Sequence, residues 1–204
     1  MAVTPNYSWP VPVNTDYVKD GAEAIKDLGD AIDATVFGLP SGGLTLINAT
    51  TFSAVASISI NNCFSATYSN YKVVVAYTNT LQGTQTNIRF RTLGADDTAS
   101  NYAGMCQRIG ENGTSYNLVG FTDLAAVNNA NSTTNTLSFD AISPNKSAET
   151  NLVGNSLGVM TTGSFNTAGV IGVLFNLTTV FDGFTILFAA GTGTGTIKVY
   201  GYQD

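Results

Sequence analysis

Histidine is absent from this sequence. Its absence removes the commonest general base and metal ligand, and excludes any Ser-His-Asp or Cys-His catalytic arrangement. Charge is scarce: Asp, Glu, Lys and Arg make up 11% of the 204 residues, under half the roughly 25% of an average domain. No apolar run reaches the roughly 18 residues that span a bilayer. The N-terminus lacks the charged start and apolar core of a signal peptide. The expectation is a chain made in the cytoplasm, with no membrane insertion. Nor is there a basic patch, which argues against nucleic acid and anionic lipid as partners. Cysteine is limited to Cys63 and Cys106, far apart and without metal-ligand spacing. Both are expected to be small buried apolar side chains, with a disulfide left open. No cofactor, metal or catalytic residue is expected.

What is present favours β structure. Asn, Thr, Ser and Gly supply the polar surface, and Val, Ile, Thr and aromatics are plentiful, a composition that suits sheet and argues against disorder. From Leu44 onward, short apolar or alternating stretches are separated by turn residues. "YKVVVAYT" is nearly continuous, and "TQTNIRFRTL" alternates Ile88 and Phe90 with Arg89 and Arg91. "TLSFDAI", "GVIGVLFNL", "FTILFAA" and "TIKVYGY" follow. Nine or ten strands at this spacing predict an antiparallel β-sandwich or jelly-roll head over residues 44–204. The polar stretch 94–117 is expected to form exposed loops or to hide a further strand.

The first 43 of the 204 residues are different. Residues 1–14 carry Pro5, Pro10 and Pro12 and read as an extended, proline-stiffened arm. Its rings, Tyr7 and the lone Trp9, are expected to dock on another subunit or protein, or to pack on their own domain. Residues 15–37 read as one short amphipathic helix, capped by Asn14 or Thr15 and with Asp16 at its positive end. Val18, Gly21, Ile25, Leu28, Ile32 and Thr35 follow a heptad stripe. Six acids and two lysines give residues 16–33 a charge of −4; eight acids against six bases leave the rest at −2, within a total of −6. A helix this short with two glycines is marginal alone. It must pack on its own sheet or on sister helices, and the Gly/Pro linker at 38–43 favours the latter.

Three patterns that imitate active sites carry little. Ser143-Pro-Asn-Lys146 matches S-x-x-K, but Pro144-Asn145 makes a turn where that motif needs a helix. Asp96-Asp97 are adjacent and read as a surface turn, not a separated glycosidase pair. "GTGTGT" at 191–196 precedes a strand rather than a helix, so it reads as a hairpin turn and not a phosphate cradle. Tyr102, Arg108 and Tyr116, in the polar stretch, are the candidate receptor residues: ring faces and a guanidinium suit sugar stacking and hydrogen bonding.

The segment Trp9-Pro10, Pro12, Asp16 through Ala22, Ala24-Ile25, Leu28-Gly29 and Ile32-Asp33 resembles the N-terminal part of tail-fibre and minor tail proteins of tailed bacteriophages. The resemblance covers about residues 6–36. It implies a homotrimeric virion protein. Tyr7, Trp9, Pro10 and Pro12 would dock it to tail or baseplate proteins, and Val18, Ile25, Leu28 and Ile32 would gather three chains. The β head would bind host cell-surface glycan. A capsid decoration or head-fibre protein, and an enzyme that degrades host polysaccharide, are the alternative readings.

Overall fold

A computed structural model describes residues 2–38, 42–81, 84–110, 115–118, 124–128, 132–160 and 167–203. The chain divides into two compact units, residues 1–42 and 43–204. It is mainly β, with antiparallel sheets and one short N-terminal helix.

The first unit holds β1 (Ala2–Val3), β2 (Pro10–Val11), a 3-10 turn (Val18–Asp20) and α1 (Gly21–Gly38). The arm is not simply extended. Val3 pairs with Pro10 and Ala2 with Val11 in a small antiparallel ladder. Thr4 N–H donates to the Trp9 carbonyl at 2.9 Å and Ser8 N–H to the Thr4 carbonyl at 3.0 Å, closing the loop between them. Neither Asn14 nor Thr15 caps the helix. Tyr17 precedes the 3-10 turn without a side-chain cap. The Asp16 carboxylate instead accepts from the Val13 N–H at 2.9 Å, bracing the turn that feeds the helix. The regular helix therefore begins at Gly21, later than a polar cap at position 14 or 15 would start it.

The second unit contains β3 (Leu44–Val55), β4 (Ser57–Ile60), β5 (Asn70–Asn79), β6 (Gln85–Thr92), β7 (Ala95–Asp96), β8 (Tyr102–Gly110), β9 (Ser115–Leu118), β10 (Leu124–Asn128), β11 (Ser132–Ile142), β12 (Thr150–Met160), β13 (Thr167–Phe175), β14 (Gly183–Phe188) and β15 (Gly193–Tyr202). An eight-stranded sheet runs β3-β15-β5-β11-β12-β13-β8-β9. A five-stranded sheet runs β10-β6-β14-β4, with β7 added to β6. Residues 94–117 thus contain strands as well as turns.

Period-2 patterning decides which side chains turn inward. On β5, Tyr71, Val73, Val75 and Tyr77 are buried while Val74 is exposed. On β6, Ile88 and Phe90 are buried, and on β15, Ile197 and Val199. Both sheets contribute to one apolar cluster, a sandwich-like arrangement. Rings interlock across it: Phe139 of β11 meets Phe184 of β14 edge-on at 5.8 Å between centroids. Tyr77 of β5 meets Phe188 of β14 at 5.3 Å. Each buried ring of this kind contributes about 1.5–3 kcal/mol.

The glycine-rich stretch 191–196 is only partly a turn. Gly191 takes a left-handed backbone, φ +77°, but Gly193 and Gly195 lie in β15. A Cβ at Gly193 would stand 2.2 Å from the Phe188 ring, and one at Gly195 would stand 2.2 Å from the Ala76 carbonyl oxygen. These glycines let strands and rings approach closely.

Candidate functional site

In the first unit, β2 lies against α1. Trp9 stacks on Tyr7 with centroids 5.1 Å apart. Its indole N–H donates to the Thr35 hydroxyl at 2.8 Å, and that hydroxyl donates to the Ala31 carbonyl at 2.8 Å. The arm is thereby pinned along the face that carries Ala24, Leu28, Ala31 and Thr35. Ala24 is buried and the other three are half-buried. Trp9 and Pro10 are half-buried, whereas Tyr7 and Pro12 are exposed. Trp9 is thus engaged within its own unit, and Tyr7 and Pro12 are the arm residues open to a partner.

The heptad stripe is split by this arrangement. The arm lies along the edge bearing Leu28 and Thr35. The other edge stays open: Val18 is 97% exposed and Ile25 67%, and Val36, beside them on the helix, is also exposed. Ile32 lies between the two edges and is half-buried. Within the first unit the arm covers only part of the helix's apolar stripe. Near its N-terminus, Pro12, Tyr17, Val18, Gly21, Ala24 and Asp27 help line an open cleft of about 440 Å³.

In the second unit, Tyr102 is a core residue and not a surface receptor contact. Only 3% of it is exposed. Its ring stacks near Phe90 and meets Phe175 edge-on at 5.2 Å. Its hydroxyl accepts from the Phe90 N–H at 2.9 Å and donates to the Asp97 carbonyl at 3.1 Å. Arg108 and Tyr116 are Cα partners across β8 and β9; their side chains lie outside the described residues.

Asp96 is not a free surface carboxylate. It forms an ion pair with Arg91, and the same oxygen accepts from the Thr185 hydroxyl at 2.6 Å. Arg91 also donates to Asn61 Oδ1 at 2.8 Å, to Ser59 Oγ at 3.0 Å and to the Gly94 carbonyl. This guanidinium ties the β6–β7 turn to β4 and β14. Its donors are engaged within the fold, so the cluster serves as scaffold. The S-x-x-K residues lie in a turn closed by Lys146 N–H to the Ser143 carbonyl at 3.3 Å. Lys146 Nζ donates to the Ala66 carbonyl at 3.3 Å. Cys63 is a free, buried thiol whose pKa burial pushes up to about 12. That suppresses the reactive thiolate. The Cys106 side chain lies outside the described residues.

Among the described residues, no group of three His, Cys, Asp or Glu side chains is placed to hold a metal ion. No described helix is long and apolar enough to cross a membrane.

Phenols give the second unit an alkaline signature. Burial raises the pKa of Tyr77 and Tyr102. The hydrogen bond to Asp140 raises that of Tyr202 to about 12. In each case folding favours the neutral form. The resulting stabilisation is complete below the ordinary phenol value of 10.0 and is lost as pH rises through the folded value. The melting temperature should therefore stay level to about pH 9 and fall above about pH 10. Melts followed by circular dichroism from about pH 8 to about pH 12 check this, and a flat profile into strong alkali would contradict the burial and hydrogen bonding of these hydroxyls.

No protein-family model matches the chain, and no curated protein matches it.

Proposed function

We propose that this chain is a structural protein of a phage virion. In this reading it is a short tail fibre that trimerises through α1, joins the tail or baseplate through its N-terminal unit, and binds host surface glycan with its β unit. The observation that carries the reading is the open apolar edge of α1. An amphipathic helix is stabilised mainly by covering its apolar face. The arm covers one edge of this one, and Val18, Ile25 and Val36 stay exposed. Sister helices would complete the burial. The resemblance of residues 6–36 to phage tail proteins supplies the biological setting.

Trimerisation also multiplies attachment. Three arms held together engage a particle with an effective concentration that a single weak contact lacks. Light scattering at micromolar concentration should return three times the 21.3 kDa chain mass. Ile25→Asp, which puts a carboxylate into the desolvated seam, should shift the protein toward single chains while its β circular dichroism is retained. A wild-type protein that scatters as a monomer ends the trimer reading. Antibody labelling of intact particles separates tail from capsid, and a turnover assay on host polysaccharide separates binder from enzyme.

A further inference from the structure

The arm occupies ground that a coil of sister helices needs. Such a coil buries both sets of a heptad stripe. Here one set is Val18, Ile25 and Ile32, and the other is Gly21, Leu28 and Thr35. Val18 and Ile25 of the first set are exposed, and Ile32 is half-buried. The second set is held by the arm. The Trp9 indole N–H donates to Thr35 Oγ1 at 2.8 Å, Leu28 is half-buried on the same face, and Gly21 lines one cleft with Pro12 and Val13. A partner helix cannot take the Leu28 and Thr35 side of the stripe while Trp9 sits there. Sister helices and the arm therefore compete for one edge of α1.

We propose that the arm is a displaceable strap on α1. Closed, it keeps the helix half-covered. Open, it yields the whole stripe to sister helices and frees the arm for docking. The closed state is lightly held. Trp9 is half-buried, not sealed, and Thr35 is its hydrogen-bond partner on the helix. The fold-back also carries a cost, because Ser8 holds a left-handed backbone at φ +55° that residues other than glycine adopt reluctantly. Opening leaves no stranded group on the helix: the Thr35 hydroxyl still donates to the Ala31 carbonyl. A closed coil then covers Leu28 together with Val18, Ile25 and Ile32. Arm release and trimerisation favour each other by linkage. A tail protein that draws the arm away promotes closure of the coil, and closure of the coil presents the arm. The inference rests on the trimer reading and adds to it how docking and assembly are coupled.

Trp9 is the sole tryptophan, so its fluorescence reports the strap. The full wild-type chain is followed across its association midpoint by sedimentation equilibrium, with acrylamide quenching of the indole in the same concentration series. Quenching should rise as chains associate, because the indole leaves Thr35. Trp9→Phe keeps a ring beside Tyr7 but has no N–H to donate. Its association midpoint should move to lower concentration by about threefold or more. Ser8→Asn suits the left-handed backbone better and should move the midpoint to higher concentration. Circular dichroism of the β unit confirms that each variant is folded. An indole equally shielded in single chains and trimers, a Trp9→Phe midpoint that stays in place or rises, or a Ser8→Asn midpoint that falls overturns the strap and leaves a trimer built on the open edge alone. A wild-type chain that is monomeric throughout removes the trimer reading and this inference with it.

Discussion

Tyr102→Ala lowers the stability of the β unit by about 3–5 kcal/mol, and its melting temperature by roughly 10 °C. The ring is lodged among Phe90 and Phe175, in contact with both, and its removal leaves a cavity that close-packed neighbours refill only in part. The hydroxyl adds a second loss. Without it the buried Phe90 N–H has no acceptor, so Tyr102→Phe alone should cost about 1–2 kcal/mol. Urea unfolding of the two variants separates the contributions. A Tyr102→Ala protein that melts like wild type but fails to adsorb to cells would restore the residue to the receptor site and contradict its burial.

Deleting residues 1–13 should abolish incorporation into particles while the β unit melts at its wild-type temperature. The two units are separately compact, and the apolar core of the second is built from its own residues. Within the first unit the effect is local. Loss of the arm uncovers Ala24, Leu28, Ala31 and Thr35 and removes the Trp9–Thr35 hydrogen bond. Trp9→Ala acts by the same route, releasing the arm from the helix and so misplacing Tyr7 and Pro12, the residues exposed for docking. Particle assembly in cells that supply the variant, scored by its presence in purified virions, reads the outcome directly. Normal incorporation of the truncated chain removes the docking role; collapse of the β unit would show that the arm is part of the head's fold.

Much of the β unit was legible because its strands keep a two-residue period. β6 alternates cleanly: Ile88 and Phe90 turn inward while Arg91 turns to the polar face, whereas β5 was legible as a nearly continuous apolar run, of which one set of alternate residues is buried. β8 was not legible for a specific reason. The inward position after Tyr102 is Gly104, where a Cβ would lie 2.4 Å from the Gly172 carbonyl oxygen. A glycine demanded by backbone approach interrupts the apolar alternation, and the stretch reads as a polar loop. β12 repeats the pattern at Gly154, beneath Phe139.

The arm escaped the sequence for another reason. Its prolines fit an extended chain and a short ladder equally well. The fold-back depends on Ser8, held at φ +55°, in a region where glycine or asparagine is the usual signal. The helix itself was legible, but not its partner: the stripe shows which face must be covered, while the covering segment lies far enough upstream that no local pattern announces it.

The pairing of β3 with β15 has a mechanical meaning. β3 is the first strand after Gly43, and it runs antiparallel to β15 from Leu44–Tyr202 to Val55–Gly193. Gln203 N–H also donates to the Gly43 carbonyl at 3.1 Å. A pull on the linker, resisted at the far end of the sheet, runs along β3 and loads the ladder in shear. Many hydrogen bonds share that force at once instead of parting one after another, so a head tethered at Gly43 would stay folded under a tug that would unzip the same strand if pulled sideways.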